Sequence, residues 1–305
     1  MPSFAGPDEI LGVFLYVGVI YLINLSQVTV ESIRETRKTD LSEFLEQVRR
    51  DKDRVSDELL SKLRVIASSG PLRAVCEGDT AVGRTLEHAL GILQNPSKQP
   101  DYLGIELKAY RGKPKQENRA GLFSQVPNWS MSRLKSSAEF LREFGYERRG
   151  LRRLNCTVSA RIANSQGLRF RLDMDEEVLH EFHQPTNSDC AIWALPHLHA
   201  RLLEKHRETF WIRVRSTHSE GIEYFDLESV RHTEKPSVVQ FNALLGLGSV
   251  TMDHVIKETA SGGAKDQGYL FKLNKRDIPV LFAQPRDYSF GQIGENTPLA
   301  ISKLA

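Results

Sequence analysis

A short apolar strand carrying three charges is the feature that most restricts what this chain can become. It reads Pro100-Asp101-Tyr102-Leu103-Gly104-Ile105-Glu106-Leu107-Lys108. Side chains two apart on a strand share a face. Glu106 and Lys108 therefore point one way, while Ile105 and Leu107 point into a core. Asp101 lies just upstream, and its carboxylate reaches the same spot if the strand bends or begins there. Two carboxylates make a hard oxygen site suited to Mg²⁺. A lysine beside them can steer a water or stabilise charge on a phosphate. That is equipment for metal-assisted phosphodiester hydrolysis. The pattern D-x4-E-x-K is nonetheless short, and it arises by chance on solvated strand faces, so its surroundings have to decide.

The preceding segment, residues 78–93, places Val82, Leu86, Ala89, Leu90 and Leu93 at helical spacing. Glu87 is one residue off that stripe, at the edge of the buried face, from where it could reach the end of a neighbouring strand. The plainer alternative is an exposed glutamate paired with Arg84. A rival motif overlaps it. Gly78-x4-Gly83-Arg84-Thr85 resembles a phosphate-cradling loop with arginine in place of the lysine. Such a loop needs a buried strand before it, and residues 72–77 make a poor one.

Several ordered motifs together are more specific than any one. Gly78-Asp79-Thr80-x-x-Gly83-Arg84-Thr85-Leu86-Glu87 is followed by Pro100-Asp101-x4-Glu106-Leu107-Lys108 and then by Leu122-Phe123-x3-Pro127-x-Trp129. This succession resembles the MvaI/BcnI family of restriction endonucleases, related in turn to the MutH mismatch-repair nicking enzyme. Later pieces fit the same resemblance: residues 156–160, 164–168 and 210–212, Thr251-Met252-Asp253-His254, and residues 268–273. The resemblance covers roughly residues 74 to 284 and implies a PD-(D/E)xK nuclease. It makes Asp101 and Glu106 metal ligands, Lys108 the catalytic lysine, and Glu87 the helix carboxylate that completes the site. One departure matters. The recognition loop before the last strand carries histidines in a better-known member and reads Lys265-Asp266-Gln267 here, so its target sequence does not transfer.

Composition agrees with a globular enzyme. The chain has 305 residues, 40% hydrophobic and 26% charged, enough for a sizeable core. Its three cysteines, Cys76, Cys156 and Cys190, are far apart and form no CxxC pair, which indicates neither a zinc site nor a disulfide framework. Each reads as a small buried hydrophobe, and a reducing cytoplasm is the natural home. The net charge of +2 does not announce nucleic acid, but its distribution does. Residues 107–171 hold 15 Lys/Arg against 4 Glu and no Asp, a net +11, leaving −9 for the remainder. A basic block that starts at the candidate site attracts a polyanion.

The coarse organisation is also legible. Residues 10–25 are strongly apolar, broken by Gly12, Gly18 and Asn24. The stretch is shorter than the ~18 residues expected of a membrane span and lacks a basic segment before it, which argues against a signal peptide. A buried helix or strand is the alternative. Asp40-x-x-Glu43 looks like a capping box. It opens an amphipathic helix through Leu41, Phe44, Leu45 and Val48, and a second helix follows with Val55, Leu59, Leu63 and Ile66 on one face. Ser68-Ser69-Gly70-Pro71 marks a break, giving an N-terminal region at 1–70 and a nuclease domain at 71–305.

Beyond the catalytic strand, residues 111–119 read as a loop. A helix over 131–144 ends at Gly145. Strands at 155–162 and 168–172 flank a turn at 164–167. Residues 195–205 read as helix, with His197, His199 and His206 in structural roles. Phe210, Ile212 and Val214 alternate with Trp211, Arg213 and Arg215 on a strand with a basic face, and residues 269–273 form a late strand. Trp193 and Trp211 read as core or sheet residues. Asp253-His254 is either a loop near DNA or a surface pair. The fold class is α/β: a restriction-endonuclease-like mixed β-sheet flanked by helices, MutH-like, with two lobes around a DNA cleft.

The function expected is that of a Mg²⁺-dependent, sequence-specific DNA endonuclease of a restriction system, cytoplasmic and monomeric. Its partners are double-stranded DNA and a cognate DNA methyltransferase. Asp101, Glu106 and the carbonyl of Leu107 hold the metal, and Lys108 orients water or offsets charge. Loops enter the major groove to read sequence, with Arg111, Lys265 and Gln267 as candidates. The alternatives are a DNA-binding protein with an inactive nuclease fold, and an ATPase working through the Gly78 loop.

Overall fold

A computed structural model describes residues 5–16, 18–27, 40–92, 100–112, 119–259 and 261–290. By density of contacts the chain divides into two units, residues 1–63 and 64–305.

The first unit opens with a hairpin of β1 (Leu11–Tyr16) and β2 (Val19–Asn24), paired antiparallel from Leu11 opposite Asn24 to Tyr16 opposite Val19. Gly18, at φ +76°, supplies the turn conformation that other residues rarely adopt. The apolar stretch is thus a pair of strands. Their side chains split between two faces, and Val13, Leu15, Ile20 and Leu22 remain exposed. On the other face Tyr16 and Tyr21 pack on Phe44, with ring centroids 5.6 and 4.3 Å away. Among the described residues no helix is long and apolar enough to cross a membrane.

Where two helices were expected there is one, α1 (Asp40–Ser68), of 29 residues. The segment between the two apolar stripes, Arg49-Arg50-Asp51-Lys52-Asp53-Arg54, is polar but contains no helix breaker, and Arg49 and Asp53 lie one turn apart on it. The side chain of Asp40, and so the expected capping box, lies outside what is described. The helix stops at the anticipated break, where Gly70 adopts φ +94°.

Among its described residues the second unit holds three sheets. β3 (Leu72–Arg73) leads into α2 (Ala81–Ala89), whose Val82 and Leu86 are buried. Leu93, the last residue of the expected stripe, lies outside the described residues. Then come β4 (Glu106–Arg111) and β5 (Arg119–Ser124), and the residues between them, 113–118, are likewise outside the described set.

α3 (Ser137–Phe144) is shorter than the helix expected over 131–144 because Ser136 caps it, its hydroxyl accepting from the Glu139 N–H. Gly145 does end it, but at φ −70°, so the left-handed conformation is not the reason for glycine. A Cβ there would lie 2.2 Å from the Leu141 carbonyl oxygen.

Next are β6 (Tyr146–Arg148), β7 (Leu151–Val158), β8 (Leu168–Asp173), β9 (Val178–His183) and β10 (Ser188–Ala194). Asn164 does build the turn at 164–167, its side-chain oxygen accepting from the N–H groups of Gln166 and Leu168. The strands on either side of it nevertheless belong to different sheets. The chain finishes with α4 (Leu195–Lys205), β11 (Glu208–Ser219), β12 (Ile222–Glu234), α5 (Val238–Gly246), β13 (Val250–Glu258), β14 (Ala264–Asp266), β15 (Leu270–Asn274), α6 (Ile278–Leu281) and β16 (Arg286–Ser289).

The five-stranded sheet runs β16-β12-β11-β4, with β3 also on β12; β4 lies parallel to β11 and the rest is antiparallel. The six-stranded sheet runs β5-β15-β13-β7-β6, with β14 on β13, and the three-stranded one runs β10-β9-β8. The main core joins the second and third sheets to α3, α4, α5 and α6 around Trp193, Phe140, Phe170, Phe241, Phe271 and Phe282, all fully buried or nearly so. Trp211 belongs to it too, so β11 ties this core to the sheet that carries β4. The class is mixed α/β, with several sheets flanked by helices.

Candidate active site

The D-x4-E spacing works because the chain folds back between its two acids. Tyr102 and Ile105 pair across a two-residue turn, each N–H donating to the other's carbonyl at 2.9 and 2.7 Å. The turn's central residues, Leu103 and Gly104, have φ +45° and +92°. Positive φ at both positions marks the tightest hairpin connection. Asp101 is thereby returned to the start of β4, where its Oδ2 accepts from the backbone N–H of Leu107 at 2.9 Å.

Glu106 is the first residue of β4 and only 1% exposed. Ile105 and Leu107 on the opposite face are buried, as their alternation anticipates. Lys108 returns to the face of Glu106, with its Nζ 2.5 Å from Glu106 Oε1. A second lysine, Lys205 at the end of α4, sits 2.7 Å from Glu106 Oε2. Both carboxylate oxygens are buried, and each has one ammonium group as its close partner. Burial pushes the Glu106 carboxyl above its usual range, Lys108 pulls it back, Asp101 pushes it up again, and Lys205 also lowers it.

Glu87, half-buried on α2, faces the same group. Its carboxyl is raised first by burial and then by Asp101; Arg84 and Lys108 oppose that, and Glu106 adds to it. The glutamate one residue off the helix's apolar stripe is therefore within electrostatic reach of Asp101, Glu106 and Lys108. The oxygens of Glu87, Asp101 and Glu106 do not all fall within 4.8 Å of one another.

The lysine at α4's end is fixed by its neighbour. His206 is fully buried, with Nδ1 2.9 Å from the Thr209 hydroxyl and Nε2 2.8 Å from the Leu122 carbonyl oxygen. A carbonyl only accepts, so Nε2 carries the proton and Nδ1 accepts from Thr209. The ring stacks on Trp211 at 5.4 Å. Burial, with Lys108 and Lys205 close by, drives its pKa down to about 3. Lys205 is the contact of Glu106 that sequence reading missed. It lies in a helix correctly placed at 195–205, but nothing local in the sequence links that helix to β4.

Other expected positions have different partners. Arg111 grips Glu223 with two contacts of 2.7 Å, donates to the Gly78 carbonyl at 3.0 Å and lies over Phe225. It holds the Glu223 carboxyl down at about 2. Lys265 and Gln267, on and just after β14, are exposed and lie away from the carboxylates in sequence and sheet. Asp253 and His254 are neither loop nor surface. Both are on β13, where Asp253 binds Arg119 at 2.7 Å and Lys272 at 3.0 Å, and His254 pairs with Glu181 at 2.7 Å with both side chains fully buried. Gly83 lies inside α2, which rules out the phosphate-loop geometry. His197 and His199 bond Asn128 and Asn242. Of the three cysteines only Cys190 is buried, and Cys76 and Cys156 are partly exposed.

Among the described residues, Glu208, His232 and Glu234 are the one group whose ligand atoms converge as tightly as a metal would require. Glu208 directly precedes Thr209, the register partner of Glu106, so its side chain leaves the sheet on the other face. His232 Nε2 already contacts Glu208 at 2.7 Å, and Arg286 neutralises Glu234 at 2.6 Å. This cluster is an internal ion network on the face away from β4's charges.

A mixed sheet with Glu106 and Lys108 on one strand, Asp101 folded back to that strand's start and Glu87 on a nearby helix has the make-up expected of a restriction-endonuclease-like protein. The comparisons specify the kind. A profile described as the MvaI/BcnI restriction endonuclease family matches residues 60–282. The chain belongs to that family and so is a deoxyribonuclease of the restriction type. No curated protein matches it significantly. A solved structure titled "Restriction endonuclease MvaI-cognate DNA substrate complex" is similar at 20% identity and TM-score 0.66, covering 77% of this chain and 98% of that one. "Restriction endonuclease MvaI in the absence of DNA" matches at 17% identity over 76% and 97% of the two chains with TM-score 0.45, too low to argue from. The first likeness establishes the shared fold.

Proposed function

We propose that this chain is a Mg²⁺-dependent endonuclease that cuts double-stranded DNA at a defined sequence. In this reading it serves in the cytoplasm as the cleaving half of a restriction system beside a cognate methyltransferase, and it acts as a monomer. The observation that carries the reading is Asp101 folded back beside Glu106, with Lys108 on the same face and Glu87 across from them, in a chain of a restriction endonuclease family. The residues fit a hard divalent cation. Glu106 offers two buried carboxylate oxygens, and the Asp101 carboxylate is held beside the same strand by the Leu107 N–H.

Asp101, Glu106 and the carbonyl of Leu107 hold the ion in this reading, and Glu87 supports it from the helix. Bound there, Mg²⁺ supplies charge stabilisation at the scissile phosphate and a more acidic water. Lys108 leaves Glu106 to orient that water or to offset charge on the phosphate. Arg111 is committed to Glu223, so Lys265 and Gln267 are the better candidates for reading bases in the major groove. DNA lies in a cleft between the sheet bearing β4 and the lobe bearing β14. The nuclease domain spans 71–305, and 1–70 is an accessory region.

The test is supercoiled plasmid incubated with the protein and Mg²⁺, in parallel with EDTA. Linear or nicked product only with Mg²⁺ supports the reading. Retention of DNA with no cleavage under any divalent metal would favour the inactive, binding-only alternative.

A further inference from the structure

Glu106 is held by two ammonium groups where one would neutralise it. Lys108 stands at Oε1 and Lys205 at Oε2, and the carboxylate between them is 1% exposed. Lys108 is accounted for by the D-x4-E-x-K motif; Lys205 is not. It comes from α4, whose C-terminal end favours a cation. The next residue, His206, is locked to Thr209, to the Leu122 carbonyl and against Trp211. The helix end therefore cannot drift, and the Lys205 side chain is itself mostly buried.

Charge shows what a second lysine does there. Three carboxylates (Glu87, Asp101, Glu106) are matched by Lys108, Lys205 and, at Glu87, Arg84, which leaves the site without net charge. Adding a divalent cation makes it positive, the sign that attracts a phosphodiester. Without Lys205 the resting site would carry one negative charge beside a buried carboxylate, and the loaded site would be less positive. An ammonium and a metal ion on the same carboxylate repel strongly where water is excluded.

We propose that Lys205 is a positioning residue that holds the charge of Glu106 until the divalent cation arrives and then gives way to it. Lys205 thereby weakens metal binding in the absence of DNA and leaves the loaded site positive. The inference rests on Asp101 and Glu106 being the metal site.

Calcium binding to the full chain, by titration calorimetry, tests it together with thermal unfolding with and without Ca²⁺. Lys205→Met should bind Ca²⁺ severalfold more tightly than wild type. It should melt lower than wild type without Ca²⁺ and recover most of that deficit in saturating Ca²⁺. Lys205→Arg, which keeps the charge, should track wild type in both. Should the Met variant not fold, Lys205→Gln carries the same comparison. Unchanged or weaker Ca²⁺ affinity, or a melting deficit equal with and without Ca²⁺, would overturn the proposal and leave Lys205 an ordinary structural ion pair. Failure of the underlying metal reading looks different: neither wild type nor Lys205→Met would take Ca²⁺, or Asp101→Asn would bind it as wild type does, and either result defeats both.

Discussion

Asp101 accepts a hydrogen bond from the backbone N–H of Leu107, six residues on, at 2.9 Å. This bond fixes one acid against the strand that carries the other. It also makes Asp101 a test of the whole site, because its carboxylate is both a folded-back structural acceptor and the proposed metal ligand. Asp101→Asn keeps the acceptor and removes the charge. Cleavage should be lost while the melting temperature stays close to wild type and DNA binding survives or tightens. An Asn variant that cuts at the wild-type rate would show that the charge at this position is not used.

The turn that returns Asp101 is strained at Leu103. A non-glycine residue at φ +45° costs roughly 1–2 kcal/mol, and its side chain is 73% exposed, so little packing offsets that. Leu103→Asn creates the Asn-Gly pair that this turn favours and should raise the melting temperature with activity kept. Gly104→Val, at φ +92°, should do the reverse and lower cleavage with stability. Equal melting temperatures for all three proteins would remove the turn from the account.

Much of the site could be read from the sequence because its parts are local. Period-two alternation put Ile105 and Leu107 inward and Glu106 and Lys108 together, and helical spacing set Glu87 at the edge of α2's buried face. The missing parts depend on contacts between distant segments. Lys205 reaches Glu106 through the parallel pairing of β4 with β11, and no local pattern encodes a parallel pair. Asp253 and His254 looked like surface residues because two adjacent polar side chains usually are. They are inside because Arg119, Lys272 and Glu181 arrive from other strands to satisfy them. Residues 10–25 were ambiguous for a related reason: an apolar run does not show by itself whether it is one element or a hairpin around Gly18.

Arg111 should prove structural. Its pairing with Glu223 bridges β4 to β12 across β11. Removing a charged hydrogen-bond partner typically costs about 1.5–3 kcal/mol. Arg111→Ala should destabilise the protein on that scale, with part of the loss recovered in the Arg111→Ala/Glu223→Ala double variant, and DNA affinity should change little. Intact stability with a large fall in DNA affinity would reassign Arg111 to the DNA interface.

His206 sets a pH dependence. Its pKa is about 3 folded against an ordinary 6.5, so between those values the unfolded chain binds the extra proton and the folded one does not. Its contribution to stability is complete above about pH 6.5 and is lost as pH falls toward 3. His206→Gln, which can still donate to the Leu122 carbonyl but does not titrate, should flatten the fall in melting temperature across that window. Parallel pH profiles for the two proteins would mean that His206 does not titrate on unfolding.

Lys108 and Leu107 separate chemistry from packing. Lys108→Ala should lose turnover by about 10²-fold or more with the fold retained, since Lys205 still faces Glu106. Leu107→Ala should cost about 2–5 kcal/mol because it empties the buried face of the strand. A Lys108 variant destabilised more than the Leu107 variant would mark the lysine as structural.

The most direct measurement is to sequence the DNA ends produced from a plasmid library by wild type and by Asp101→Ala. With Mg²⁺, wild-type ends should fall at one short sequence, and Asp101→Ala should produce none. Ends that appear equally in EDTA, or at the same sites with Asp101→Ala, would contradict the assignment of Asp101, Glu106 and Lys108 as the cleaving site.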